Sequence, residues 1–168
     1  GRPFLGPGAD EREYVFAARD RYDESYDMVR AVRDHRFKYV RHYRPGTPYR
    51  QWIPYRNRHP VMREILERAR QGDLEGAERW FDANRPDEEL YDLREDPHEV
   101  ENLADDSEYA DTLDRLRGAL DDWRDRVGDA GDQAETEMVR ERYGGDEQPE
   151  TAAPRFVVNS PAHDERTA

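Results

Sequence analysis

Residues 89–104 read Glu-Leu-Tyr-Asp-Leu-Arg-Glu-Asp-Pro-His-Glu-Val-Glu-Asn-Leu-Ala, and the order of their apolar and turn residues decides the fold. Leu90, Tyr91 and Leu93 predict a short strand, because bulky side chains suit a half-buried pleated surface. Asp96-Pro97 turns the chain, since proline fixes φ and withholds an amide donor. Asn102-Leu103-Ala104 then docks the segment that follows.

Upstream, residues 13–19, 28–33 and 36–42 are short runs rich in Val, Tyr and Phe, and the polar break Asp34-His35 suits a hairpin, so antiparallel pairing follows. Residues 44–59 hold Pro45, Gly46, Pro48 and Pro54 among Tyr49, Trp52, Tyr55 and His59, which predicts a long ordered loop. Pro60 suits a first helical position, and Val61, Met62, Ile65, Leu66 and Ala69 share one face before Gly72 ends the helix. Asp73 can cap a second helix carrying Leu74, Ala77, Trp80 and Phe81, stopped at Arg85-Pro86. Downstream, Ser107 is placed to cap a helix whose Tyr109, Leu113, Leu116, Leu120, Trp123 and Val127 recur at intervals of four and three. The expected fold is α+β: a small antiparallel sheet of about four strands against that C-terminal helix, with a helical hairpin inserted before Glu89. Residues 1–12 read as a linker, 13–128 as the folded subdomain, and 129–168 as an acidic, mostly flexible tail.

The 168 residues are 35% apolar and 40% charged, so a core must draw on ten Tyr, five Phe and three Trp. Charge is uneven: residues 1–60 carry 13 basic and 8 acidic side chains, within a chain whose net charge is -13. That balance argues against nucleic acid as a partner of the whole chain. Lys38 stands as the one lysine beside 26 arginines. With so much aspartate, this gives the composition a halophile-like character. The absence of cysteine removes disulfides, thiol catalysis and Cys-ligated zinc. No apolar run approaches the roughly 20 residues that span a bilayer, so no membrane partner is expected, and Gly1-Arg-Pro-Phe-Leu-Gly is no signal peptide.

Residues 89–104 resemble the C-terminal signature of sulfatases. Tyr14-Val-Phe-Ala-Ala-Arg-Asp-Arg21, Tyr26-Asp-Met-Val-Arg-Ala-Val-Arg33 and Phe37-Lys-Tyr-Val-Arg-His42 look like successive strands of the small C-terminal subdomain of heparan-type and related sulfatases, which are similar to alkaline phosphatase in fold. Gln148-Pro-Glu-Thr-Ala-Ala-Pro-Arg-Phe156 resembles a segment leading from some sulfatase catalytic regions into an accessory domain. The resemblance implies hydrolysis of a sulfate ester, possible only with an N-terminal catalytic domain as partner. That domain would supply calcium and a formylglycine made within Cys/Ser-x-Pro-x-Arg. Ser25, Ser107 and Ser160 begin no such run, and Ser160-Pro161-Ala162 has its proline one place early. By this reading the chain holds no catalytic residue, metal ligand or cofactor of its own. Asp105-Asp106 and Asp121-Asp122 read as solvated charge at a helix start and on a polar helix side.

In such a subdomain Arg19, Asp20 and Arg21, with Tyr26 following, face the active-site mouth, where guanidinium groups can fork onto sulfate or carboxylate oxygens of a sugar. The plainer alternative is that each arginine pairs with a nearby aspartate and ties the hairpin to the sheet. Trp52 is placed to stack on a sugar ring or to pack on the missing domain. Arg30, Arg33, Arg36, Lys38 and Arg41 alternate along two strands and read as a solvated basic face. His35, His42, His59, His98 and His163 lack metal-site spacing and read as surface residues. The resemblance thus implies a sulfatase fragment that contributes a substrate rim. A stand-alone module binding an acidic ligand or protein, and a non-functional gene remnant, are the alternatives.

Overall fold

The structure is a computed structural model that describes residues 5–9, 11–22, 25–74, 80–81 and 84–145. Strands β1 (Val15–Tyr22), β2 (Ser25–Arg33) and β3 (Phe37–His42) come first, then helices α1 (Pro54–Asn57) and α2 (Pro60–Gln71). Strand β4 (Glu88–Asp92) follows, and helices α3 (Ala110–Val127) and α4 (Glu135–Tyr143) close the order. The strands form one sheet in the order β1-β2-β3-β4. Strand β3 runs antiparallel to both neighbours, with Val32 opposite Tyr39 and Tyr39 opposite Leu90. The expected α+β architecture is therefore present. The chain divides into two compact units, Gly1–Ala18 with Val29–His42 and Glu88–Gly128, and Arg19–Met28 with Tyr43–Asp87 and Asp129–Ala168.

In the first unit, Val32, Tyr39 and Leu90 from the sheet meet Leu113, Leu116 and Leu120 of α3 in one buried cluster. The four-and-three spacing puts these leucines on one stripe, and burying each contributes about 1.5–3 kcal/mol. Phe16 stacks on Trp123 at 5.1 Å with ring planes 4° apart, which extends the contact to β1. The cap of this helical segment is Asp106, whose side chain accepts from the Glu108 amide, and Ser107 instead opens a single 3-10 turn to Tyr109. Both positions offer an oxygen, so a shift of one residue costs little.

The signature stretch folds back along β4. Asn102 Oδ1 accepts from the Leu90 and Ala104 amides at 2.9 and 3.0 Å, and its Nδ2 donates to Glu88 O at 3.0 Å. Leu103 N donates to Leu90 O, so the outer side of β4 is occupied. Beyond β1 no strand pairs among the described residues. In the return turn, Asp96 Oδ2 accepts from the Val100 and Glu101 amides, and Glu99 takes a left-handed φ of 57°.

The basic residues of β2 and β3 do not form the solvated face expected of them. Register sets Arg30 opposite Arg41 and Arg33 opposite Lys38. The first pair lies on one sheet face and the second on the other. Arg30 is buried, Arg41 reaches Asp121 at 2.6 Å, Lys38 reaches Glu99 at 2.6 Å and Arg36 reaches Asp92 at 2.9 Å. Asp121 thus anchors an arginine instead of lying free in solvent.

In the second unit, α1 occupies the Pro-rich loop, and α2 starts on Pro60 and stops at Gly72 with φ 71°, as its start and stop residues predict. The second helix of the expected hairpin falls largely on residues 75–79, 82 and 83, outside the described residues. Met28, Ile53 and Val139 are buried here. Val139 belongs to α4, a helix in the stretch expected to be a flexible tail; residues 146–168 of that tail lie outside the described residues.

Candidate functional site

The richest polar cluster lies in the second unit, around the carboxylate of Asp27. A carboxylate inside a strand must be paired if it is to be buried, and Asp27 is only 1% exposed. Arg85 donates to it through both terminal nitrogens, the Nη1 contact being 2.9 Å, and Arg19 donates to the same carboxylate from β1. Arg85 also donates to Arg44 O at 2.9 Å and lies over the Tyr49 ring at 5.7 Å. Tyr49 in turn packs on Trp80 at 6.3 Å. Burial pulls the pKa of the Arg19 guanidinium down, and the charge of Arg85 adds to the shift. The Arg85 side chain is buried, whereas that of Arg19 is 44% exposed, so the cluster reaches solvent through Arg19.

Beside it, Tyr26 donates its hydroxyl proton to Gly131 O at 2.8 Å, and Arg21 donates to Gln133 O at 3.4 Å. Arg21 and Arg44 lie over the Tyr26 ring at 5.0 and 5.3 Å. Burial raises the Tyr26 pKa, although the positive charge of Arg21 opposes this, so the hydroxyl stays a donor at neutral pH. Ser25 Oγ donates to Trp52 O at 2.8 Å, which fixes the backbone of Trp52 while leaving 48% of the residue exposed. Arg19, Asp20, Arg21 and Tyr26 thus lie in or beside one hairpin, and Ser25 ties Trp52 to its end. Asp20 and Arg21 belong to strand β1, which runs to Tyr22, and not to a loop after it.

Asp27, Arg85, Arg44 and Tyr49 are residues that sequence reasoning missed. Arg85 lies 58 positions from Asp27 and reads locally as a helix stop before Pro86. Asp27 gave one usable signal, a carboxylate between Tyr26 and Met28 in a strand that also buries Met28, Arg30 and Val32.

The first unit holds a second polar cluster. His42 Nε2 lies 2.7 Å from Glu89 Oε1, and the Tyr91 hydroxyl donates to Glu89 Oε2 at 2.7 Å. All three residues are buried, which corrects the surface reading of His42. Among the described residues, no group of three or more His, Cys, Asp or Glu is placed to hold a metal ion. With no cysteine and no Cys/Ser-x-Pro-x-Arg run, the sequence offers no residue to become formylglycine.

No family model matches the chain. Curated relatives do. An ulvan-active sulfatase of Formosa agariphila is 42% identical over 163 residues, which cover 95% of this chain and 27% of the relative. A second ulvan-active sulfatase of the same organism is 27% identical over 136 residues, covering 77% of the chain and 25% of the relative. Among solved structures, a 2-O GAG sulfatase is 24% identical at a TM-score of 0.45, covering 73% of this chain and 18% of that one. The chain spans about a quarter of the length of the two curated relatives.

Proposed function

We propose, from the premise that this chain is related to the sulfatases along nearly its whole length as one region of such a protein, that it forms the substrate rim of a sulfate-ester hydrolase and is not catalytic alone. Arg19 and Arg21 take anionic oxygens of the substrate, Asp20 and Tyr26 hold the hairpin that carries them, and Trp52 offers its ring to a sugar. The carrying observation is the buried Asp27 carboxylate, which holds Arg19 in place while 44% of that side chain stays exposed. An electropositive group held rigidly by a buried partner binds a sulfate or carboxylate at little ordering cost.

Formylglycine and calcium belong in this reading to a catalytic domain that accompanies the chain, and a sulfated sugar is the substrate class. The relatives named for activity on ulvan make that polymer the first substrate to try. In a complete sulfatase containing this chain, Arg21→Ala raises KM about tenfold or more with a smaller effect on kcat, as removal of uniform binding does. Unchanged KM and kcat in both Arg19→Ala and Arg21→Ala would overturn the rim role.

A further inference from the structure

Residues 43–74 have the opposite charge to the chain that carries them. Seven arginines stand there against three acidic side chains, in a protein of net charge -13. Pro54 and Pro60 start α1 and α2 within a few residues of each other, and this bend opens a groove of about 630 Å³ lined by Trp52, Asn57, Arg63 and Arg70 among others.

The acidic side chains of the groove are already engaged. Glu64 accepts from Arg68 at 2.9 Å, and Glu67 accepts from Gln71 at 2.8 Å and from Arg70 at 3.4 Å. The Arg63 guanidinium has no hydrogen-bond or ion-pair partner among the described residues. Behind the groove, Arg50 donates to Asn57 Oδ1 at 2.6 Å, and Arg56 donates to Gln51 O. Neither pairs with a carboxylate among the described residues, and burial together with the charges of Arg56 and Arg70 lowers the Arg50 pKa. Gln51 is only 8% exposed, and its Nε2 has no partner among the described residues. The groove therefore offers Arg63, without a partner among the described residues, and Arg70, held only at 3.4 Å by Glu67, beside a half-exposed indole.

An indole face and forked guanidiniums together suit a ring with polar edges and an anionic substituent. We propose that this groove binds a sugar ring bearing a sulfate or carboxylate, with Trp52 against the ring and Arg63 and Arg70 on the anionic group. The proposal supplies the ligand chemistry of Trp52, and rests on the rim reading for the choice of a sugar.

The test is equilibrium titration of the 168-residue chain by calorimetry at constant ionic strength, with glucose 6-sulfate, glucuronate, glucose and sodium sulfate as separate probes. At least one anionic sugar binds about tenfold or more tightly than glucose and sodium sulfate, and the better of the two identifies the substituent. Arg63→Gln/Arg70→Gln and Trp52→Ala each weaken that binding about tenfold, in variants whose circular dichroism and melting match the parent. Should the double variant unfold, Arg63→Gln alone serves, because that side chain holds no partner to lose. Absence of binding, equal binding of glucose, or parental affinity in the folded variants overturns the proposal. If these results fail while Arg21→Ala still raises KM in the complete enzyme, the groove is refuted and the rim stands. Binding here with unchanged kinetics there refutes the rim and leaves the groove.

Discussion

Asp27 carries a disproportionate part of the second unit, because its buried carboxylate accepts from two guanidiniums, one of which, Arg85, is itself buried. Breaking a buried pair leaves charge uncompensated, so Asp27→Asn is expected to cost about 3–5 kcal/mol in urea unfolding, while Arg68→Ala on the exposed face of α2 changes little. A loss below 1 kcal/mol would show that water already screens the cluster. The carboxylates of the first unit set its acid limit. The Arg117 hydrogen bond holds Glu88 below its ordinary 4.5, and the Arg36 hydrogen bond holds Asp92 below 3.8. For Asp34, burial acts the other way, but the Phe37 and Arg36 amides and Arg115 outweigh it. Each pKa is lower in the folded state, so the unfolded chain takes up protons first. The stability they contribute is present above the ordinary values and is lost as pH falls through the folded ones. Glu88→Gln should therefore lower stability at neutral pH and flatten the decline between about pH 5 and pH 3, as read from urea midpoints. An unaltered acid limb would contradict this. The sequence showed Arg19 and Arg21 because only Asp20 stands between them, but it hid Arg85, which shares Asp27 with Arg19 and which only the folded chain brings near. His42 misled for a similar reason: nothing close to it in sequence announces Glu89 or Tyr91.

Elements were more legible than residues. Strands β3 and β4 and helices α2 and α3 follow from alternation, four-and-three spacing, Pro60 and Gly72, all of which act locally. Their ends were less legible, since β1 runs to Tyr22 and β2 begins at Ser25, well beyond the apolar runs. Hydrogen bonding across the hairpin extends strands through polar residues that carry no apolar pattern. The bond between β4 and its return segment rests on the Asn102 side chain and the Leu103 amide. Asn102→Ala removes an acceptor from two amides and a donor from Glu88 O, and should cost about 1–3 kcal/mol. Asn102→Asp keeps the acceptors and should cost less; equal losses in the two variants would show that the amide donor dominates. Leu116, with no exposed surface, should cost about 2–5 kcal/mol as Leu116→Ala by loss of packing and creation of a cavity.

At the scale of the molecule, charge and composition were legible, but the distribution of arginines was not. Three of the five side chains of the apparent basic face are spent on Asp92, Glu99 and Asp121. The excess instead gathers in the Pro-rich loop and α2, because contacts from β4, its return turn and α3 neutralise the strands and leave the loop without acids. Net charge of -13 predicts a melting temperature that rises between low salt and about 0.1 M sodium chloride, where the screening length is about 10 Å. A fall would mean that attraction between exposed pairs outweighs repulsion. On the reading proposed above, the chain alone releases no 4-nitrophenol from 4-nitrophenyl sulfate, with or without added calcium; turnover above the blank would place a nucleophile where none is recognised. The sheet has one further consequence, which comes from its two unlike margins. Among the described residues β4 is occupied by Leu103 and Asn102 and no strand pairs beyond β1, so β1 is the margin along which a second chain would add. Two copies meeting there would use both such margins at once, and growth along them would stop at a pair.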